Sequence, residues 1–337
     1  RDTKGILGKG KSLPSIYGAS EPQMNANNLR TKGYELVLGW RDSFKLAGST
    51  FSYGITGTFS DYTAEYTKCD NPTGLIGDPY VGKKYGEIWG YKVDGLFRND
   101  KEAAEYASRI DLSTVASGYY TATGAYGKGV RGGDIKYLDL NGDNIVNGGK
   151  GTLDDPGDRR VIGNSSPRYQ YGASLNFSWY GFDVSVFMQG IGRLDWYPGA
   201  DNLRFWGPYC RPYATFVPKN FMSQVWSEEN PDAYFPRARA YTSLNSNSGT
   251  AYYTNDRYLQ NLAYCRLKNL TIGYTIPRRL TSKVGIKECR IYFSGENLAT
   301  WSALKSDFLD PEQAAANSDK KANVYPWCKT YSIGLNL

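Results

Sequence analysis

Residues 168–179 read RYQYGASLNFSW. Taken alternately, Tyr169, Tyr171, Ala173, Leu175, Phe177 and Trp179 form one set, and Gln170, Gly172, Ser174, Asn176 and Ser178 the other. Successive side chains of a strand point to opposite faces, so the stretch predicts a β-strand with one apolar and one small, polar face. Its length suits a tilted strand crossing a bilayer, which takes roughly 9–11 residues. Residues 50–60 repeat the pattern, with Phe51, Tyr53, Ile55 and Phe59 against Ser52, Gly54, Thr56, Thr58 and Ser60. The end of the chain, 328–337, sets Tyr331, Ile333, Leu335 and Leu337 against Ser332, Gly334 and Asn336. Segments 34–41, 182–190, 264–276 and 288–298 follow it less cleanly, giving seven expected strands.

The polar face separates two all-β architectures. A soluble sandwich turns that face to bulk water and commonly spends Lys, Glu and Arg on it. Here it is mostly Gly, Ser, Thr, Asn and Gln, which suits a crowded polar interior, while Tyr and Trp near the strand ends suit membrane-interface girdles. The expected fold is a transmembrane antiparallel β-barrel. The alternative is a secreted, calcium-braced β-sandwich that binds glycans.

Connection lengths point the same way. A short link containing Asp42 and Gly48 joins the first pair of strands, and Tyr180-Gly181 joins the next. Between these pairs lies the long stretch 61–167; 193–261 is long, 277–287 short, and 299–327 long again. Short and long alternate, as periplasmic turns and extracellular loops do in outer-membrane barrels. This places 1–30, 61–167, 193–261 and 299–327 outside the cell and the C-terminus on the periplasmic side. Seven strands leave open edges, so the chain is expected to be the C-terminal part of a larger barrel whose other strands and plug lie elsewhere.

Composition is consistent with this and narrows the function. The 337 residues include 29 Tyr, 8 Trp and 38 Gly, a balance that favours strands and turns. The mean hydropathy of -0.54 is uninformative for alternating membrane strands. The net charge of +7 is scattered without a basic run, so no nucleic-acid partner is expected. Histidine is missing, which removes Ser-His-Asp and Cys-His catalysis and the usual catalytic zinc sites. The five cysteines (Cys69, Cys210, Cys265, Cys289, Cys328) are widely spaced without a CxxC; they read as small apolar or loop residues, with room for one long-range disulfide. The chain opens at Arg1 without a charged-then-apolar leader.

Eight stretches in one order carry a resemblance: LPSIYGASEPQMNANNLRTKGYELVLGWRD (13–42), GEIWGYKVDGLF (86–97), GDIKYLDLNGD (133–143), DRRVIGNSSPRYQYGASLNFSWYGFDVSVFMQG (158–190), VWSEENPDAYFPR (225–237), YLQNLAYCRLKNLTIGYTIPRRL (258–280), RIYFSGENL (290–298) and YPWCKTYSIGLNL (325–337). This order resembles the C-terminal portion of the SusC/RagA family of TonB-dependent outer-membrane transporters of Bacteroidota. The resemblance implies a barrel of about 22 strands with an N-terminal plug, energised through TonB. It also implies import of oligosaccharides or oligopeptides, with a SusD-like surface lipoprotein as lid. The plug and the TonB-contacting segment are outside this sequence. Family members usually end on an aromatic residue a little beyond GLNL, whereas this sequence stops at Leu337.

Three local motifs bear on chemistry. GILGKGKS (5–12) matches the phosphate-binding pattern, with Gly5, Gly10, Lys11 and Ser12, but Leu13-Pro14-Ser15 opposes the helix that chemistry needs. In LDLNGDNIVN (138–147), Asp139, Asn141 and Asp143 supply side-chain oxygens at positions one, three and five of a calcium loop. Ile145 offers a carbonyl at seven and Asn147 stands at nine. The twelfth position is Lys150 rather than Glu, and an insertion, GGKGTLDDPG, delays the closing acid to Asp158, with Asp154 or Asp155 as substitutes. The expectation is a structural calcium ion bracing an extracellular loop, against an ion-free loop of Asx turns. Aromatics gather at Trp196, Tyr197, Phe205, Trp206, Tyr209, Tyr213 and Phe216, where they could grip sugar or peptide or pack against a partner protein. Glu228, Glu229 and Asp232 lack any positioned nucleophile, so no enzyme is expected.

Overall fold

The computed structural model describes residues 1–9, 16, 18, 22–121, 129–210, 217–239, 251–306, 308–315 and 327–337. Its principal element is one antiparallel sheet of eight strands. They are β1 (Asp2–Lys9), β2 (Gln23–Leu46), β3 (Ser49–Lys68), β4 (Arg168–Trp179), β5 (Phe182–Arg193), β6 (Tyr264–Thr275), β7 (Arg290–Ser302) and β8 (Thr330–Asn336). Each pairs with its neighbours in that order. The expected count of seven is corrected to eight, and the expected loop 1–30 is corrected too. It contains β1 and the first eight residues of β2, and β1 pairs with them from Asp2 opposite Arg30 to Lys9 opposite Gln23.

Local chemistry sets the turns. Ala47-Gly48 and Tyr180-Gly181 have positive φ at both residues (45° and 84°, 49° and 83°), the turn whose twist matches a right-handed hairpin. Asp42 lies inside β2, opposite Tyr53, and not in the link as expected.

Register then puts every apolar set on one face. Trp40 faces Ile55, Ile55 faces Leu175, Leu175 faces Val186, and Val186 faces Leu270. Further along, Ile272 meets Phe293 and Phe293 meets Ile333. The opposite face runs Gly39, Thr56, Ser174, Phe187 and Asn269 in one row and Arg41, Gly54, Asn176 and Ser185 in the next. One feature explains why 264–276 and 288–298 read poorly. Leu267 pairs with Met188 and Ala299, yet the next paired residue is Asn269, opposite Phe187 and Glu296. Lys268 is a bulge, with Asn297 (φ 53°) and Leu298 opposite it. The extra residue shifts the parity, so Leu267 and Leu270 share the apolar face while Arg266 and Asn269 share the polar one.

The apolar face is uncovered: Leu38 is 64%, Trp40 63% and Ile333 83% exposed. The remaining sheets of the described residues are two-stranded and lie within the long connections. Among the described residues there is thus no second large sheet to make a sandwich.

The buried core sits elsewhere. Its residues, among them Phe97, Leu112, Tyr137, Trp206, Phe235 and Tyr258, come from the three long connections after β3, β5 and β7. Those connections pack together at the end of the sheet opposite the tight turns. Within them helix α1 (Asp100–Ala107) is capped by Asn99, whose side chain accepts from the Glu102 N–H.

Candidate functional site

The loop domain and the polar face beneath it are where a solute would meet this chain. Aromatic burial builds the domain. Trp206 packs on Tyr258 (ring centroids 5.1 Å) and Phe205 on Phe235 (5.7 Å), and Tyr258 stacks on Phe235 (6.3 Å). Trp196, Trp206 and Tyr209 are 5%, 0% and 2% exposed. Their expected role as contacts for substrate or partner is corrected: their rings supply the loop domain's interior. Tyr213 and Phe216 lie outside the described residues, as do Gly10, Lys11 and Ser12 of the phosphate-loop pattern. Gly5 of that pattern sits within β1. Glu228, Glu229 and Asp232 are exposed around a turn closed by Asn230 N–H to the Ser227 carbonyl (3.0 Å).

The loop at 139–158 is held by its own amides. Asp139 accepts from the Gly142 and Asn144 N–H groups (2.7 and 2.9 Å), and Asp143 accepts from Ile145 N–H (2.8 Å). Asn141 donates to Asp143 (2.9 Å), and Asn147 accepts from Gly149 N–H (2.6 Å). Asp158, expected as the closing acid of a calcium site, closes the loop through hydrogen bonds. It is fully buried, and its carboxylate accepts from the N–H groups of Leu140 (2.7 Å), Asn141 (3.3 Å) and Asn147 (2.9 Å). Among the described residues no three acidic or cysteine groups gather as ion ligands would. This arrangement does not fit the expected calcium site, and the bracing it was to supply comes from Asp158.

Two charge clusters, neither evident from sequence spacing, tie the site together. Arg239 forks onto Asp134 through Nε (2.9 Å) and Nη2 (2.5 Å), with 3% and 1% of the two side chains exposed. Burial pushes the Asp134 carboxyl up to about 6, against the pull of Arg239. The guanidinium also lies 4.2 Å from the Tyr119 ring. The second cluster is on the polar face of the wall. Arg266, 1% exposed, donates to Thr300 (2.9 Å), Glu312 (2.6 Å) and Asp310. Lys268 adds a bond to Glu312 (2.8 Å) and lies 4.7 Å from the Trp327 ring, and Gln189 donates to Glu312 (3.2 Å). Because Arg266 and Gln189 share the polar face, the segment carrying Asp310 and Glu312 lies on the inner side of the wall.

Among the described residues no disulfide joins the cysteines.

Comparison with known proteins agrees with the wall. No protein-family model matches the chain. TonB-dependent receptor P3 of Formosa agariphila is 24% identical over 97% of this chain, and TonB-dependent receptor P26 of the same organism is 25% identical over 97%. The chain spans 30% and 31% of those receptors. Among solved structures, the RagAB peptide importer in its open-open state superposes with a TM-score of 0.62 at 17% identity. That match covers 99% of this chain and 31% of the importer chain. A further RagAB peptide transporter structure gives 0.58 over 99%. In sequence the chain is similar to TonB-dependent receptors, and in fold it is similar to the transporter of the RagAB complex. The fold match makes the sheet a segment of barrel wall. In a barrel wall of this kind apolar rows face lipid and polar rows face the lumen.

Proposed function

We propose that this chain is the C-terminal wall and outer mouth of a TonB-dependent importer of oligosaccharides or oligopeptides. The observation that carries the reading is the single eight-stranded sheet, apolar and uncovered on one face and mostly polar on the other. Only a lipid-facing wall leaves such a row of Leu, Trp and Ile without partners. In this reading the two tight turns and the C-terminus lie on the periplasmic side and the loop domain outside. A SusD-like lipoprotein seats over the loop domain as a lid. TonB acts through a plug contributed by another segment, and the remaining strands complete the barrel. No catalytic step is assigned to any residue.

The test is uptake. A strain lacking the receptor should lose growth on the imported nutrient, and restoring it should work only when TonB is intact. Purified receptor should stay monodisperse only in detergent. A receptor that is stable and monodisperse without detergent would overturn the barrel reading in favour of a secreted glycan-binding protein.

A further inference from the structure

A groove of about 530 Å³ opens in the loop domain between Trp89, Tyr91, Tyr252, Tyr253, Arg159 and Lys150. One side is the inserted GGKG turn, whose glycines let the backbone approach Arg159 closely. A Cβ on Gly148 would stand 3.0 Å from the guanidinium, and one on Gly151 would stand 2.9 Å from its Nη2. Nη2 is fixed on the Gly148 carbonyl (2.7 Å). Nε is buried and has no hydrogen-bond partner among the described residues. Nε is covered by the glycine turn, and the half-buried guanidinium meets the groove along its remaining edge. Lys150, the residue standing where a calcium loop would have its Glu, is exposed beside it and makes no ion pair among the described residues. The opposite side is aromatic: Tyr252 is 38% exposed and meets Tyr253 edge-on (5.6 Å), which meets Tyr91 in turn (5.9 Å).

We propose that this groove binds an anionic sugar. Its carboxylate is held by Arg159 and Lys150, and its ring lies against Tyr252 and Trp89. The backbone along the aromatic wall is already used: Tyr91 N–H bonds the Thr254 carbonyl and Asp256 N–H bonds the Tyr91 carbonyl (2.9 and 3.2 Å). A peptide therefore has no strand edge to extend here, and recognition falls to side chains. The assignment rests on the importer reading only for the side of the membrane on which the groove opens.

The experiment is calorimetry on the purified full-length receptor with tetragalacturonate, cellotetraose and tetraglutamate as probes. Tetragalacturonate should bind, and cellotetraose should bind at least about tenfold more weakly, as expected for loss of a charge-assisted pair. Arg159→Gln should weaken tetragalacturonate at least about tenfold, with Arg159→Lys recovering part of the loss. Lys150→Gln, at an exposed position that leaves the fold intact, should weaken it several-fold, and so should Tyr252→Ser. No binding of tetragalacturonate, equal binding of cellotetraose, or variants that bind like the parent would overturn the proposal. Tetraglutamate binding as tightly as the sugar would also overturn it, in favour of a peptide site. Binding to purified receptor without TonB-dependent uptake would overturn the importer reading alone, and uptake without binding the groove alone.

Discussion

The carboxylate of Asp158, at the end of the loop 139–158, accepts three backbone N–H groups from the loop's first half. Hydrogen bonds to a charged acceptor contribute about 1.5–3 kcal/mol each, and leaving buried donors unmet costs a similar amount. Asp158→Ala should therefore open the segment 139–151 to limited proteolysis, and added calcium should not restore protection. Protection of either protein that follows calcium and is abolished by a chelator would return the loop to the ion-braced reading. At Arg239 the expected pattern differs. Arg239→Met alone should cost the loop domain about 3–5 kcal/mol, because Asp134 is left buried without its partner and must take up a proton. Arg239→Met with Asp134→Leu should cost far less. Thermal unfolding of the two variants measures the difference. Neither arrangement was legible in the sequence at its true worth. The DLNGD spacing names oxygens without saying that the loop's own amides face them, and residues 134 and 239 are too far apart for any local rule.

Among the elements, the wall strands were the most legible, because alternation with a buried or lipid-facing side is what fixes register. Arg168–Trp179 appears in the structure over the range read from its alternation. Legibility fails where a bulge resets the parity, as at Lys268, and where a strand is not part of the two-faced wall, as in β1. That strand pairs with the first part of β2, ahead of the apolar run that begins at Tyr34. The bulge makes a sharp prediction. Deleting Lys268 should swing Arg266 onto the lipid face and abolish heat-modifiable barrel assembly on gels. Neighbouring substitutions on one strand should also diverge. Ile272→Arg should cost up to about 2–4 kcal/mol, depending on depth in the bilayer, whereas Thr271→Arg, on the lumen face, should be far milder. Equal costs would show the faces to be misassigned.

The whole molecule is two bodies with different sources of stability. The wall depends on strand pairing and lipid, and the loop domain on a water-excluding aromatic core of its own. Trp206→Ala should remove about 3–5 kcal/mol from the loop domain and leave the wall's gel shift unchanged, giving two separated transitions by calorimetry in detergent. A single shifted transition would mean that the two bodies melt together. Residue type alone could not foretell this division, since a Trp at a mouth and a Trp in a core are written with the same letter. Only the packing of three distant connections decides between them.

The Arg266 cluster has a mechanical side. It fastens the last long connection to β6 and β7 by several charged bonds at once, while Leu309 and Ala314 of the same connection sit in the loop core. The connection is therefore a rivet between the two bodies. The first connection is fastened in a different way, by backbone bonds and the Lys84–Glu65 pair along β3, so the mouth is pinned to the wall at two separate places.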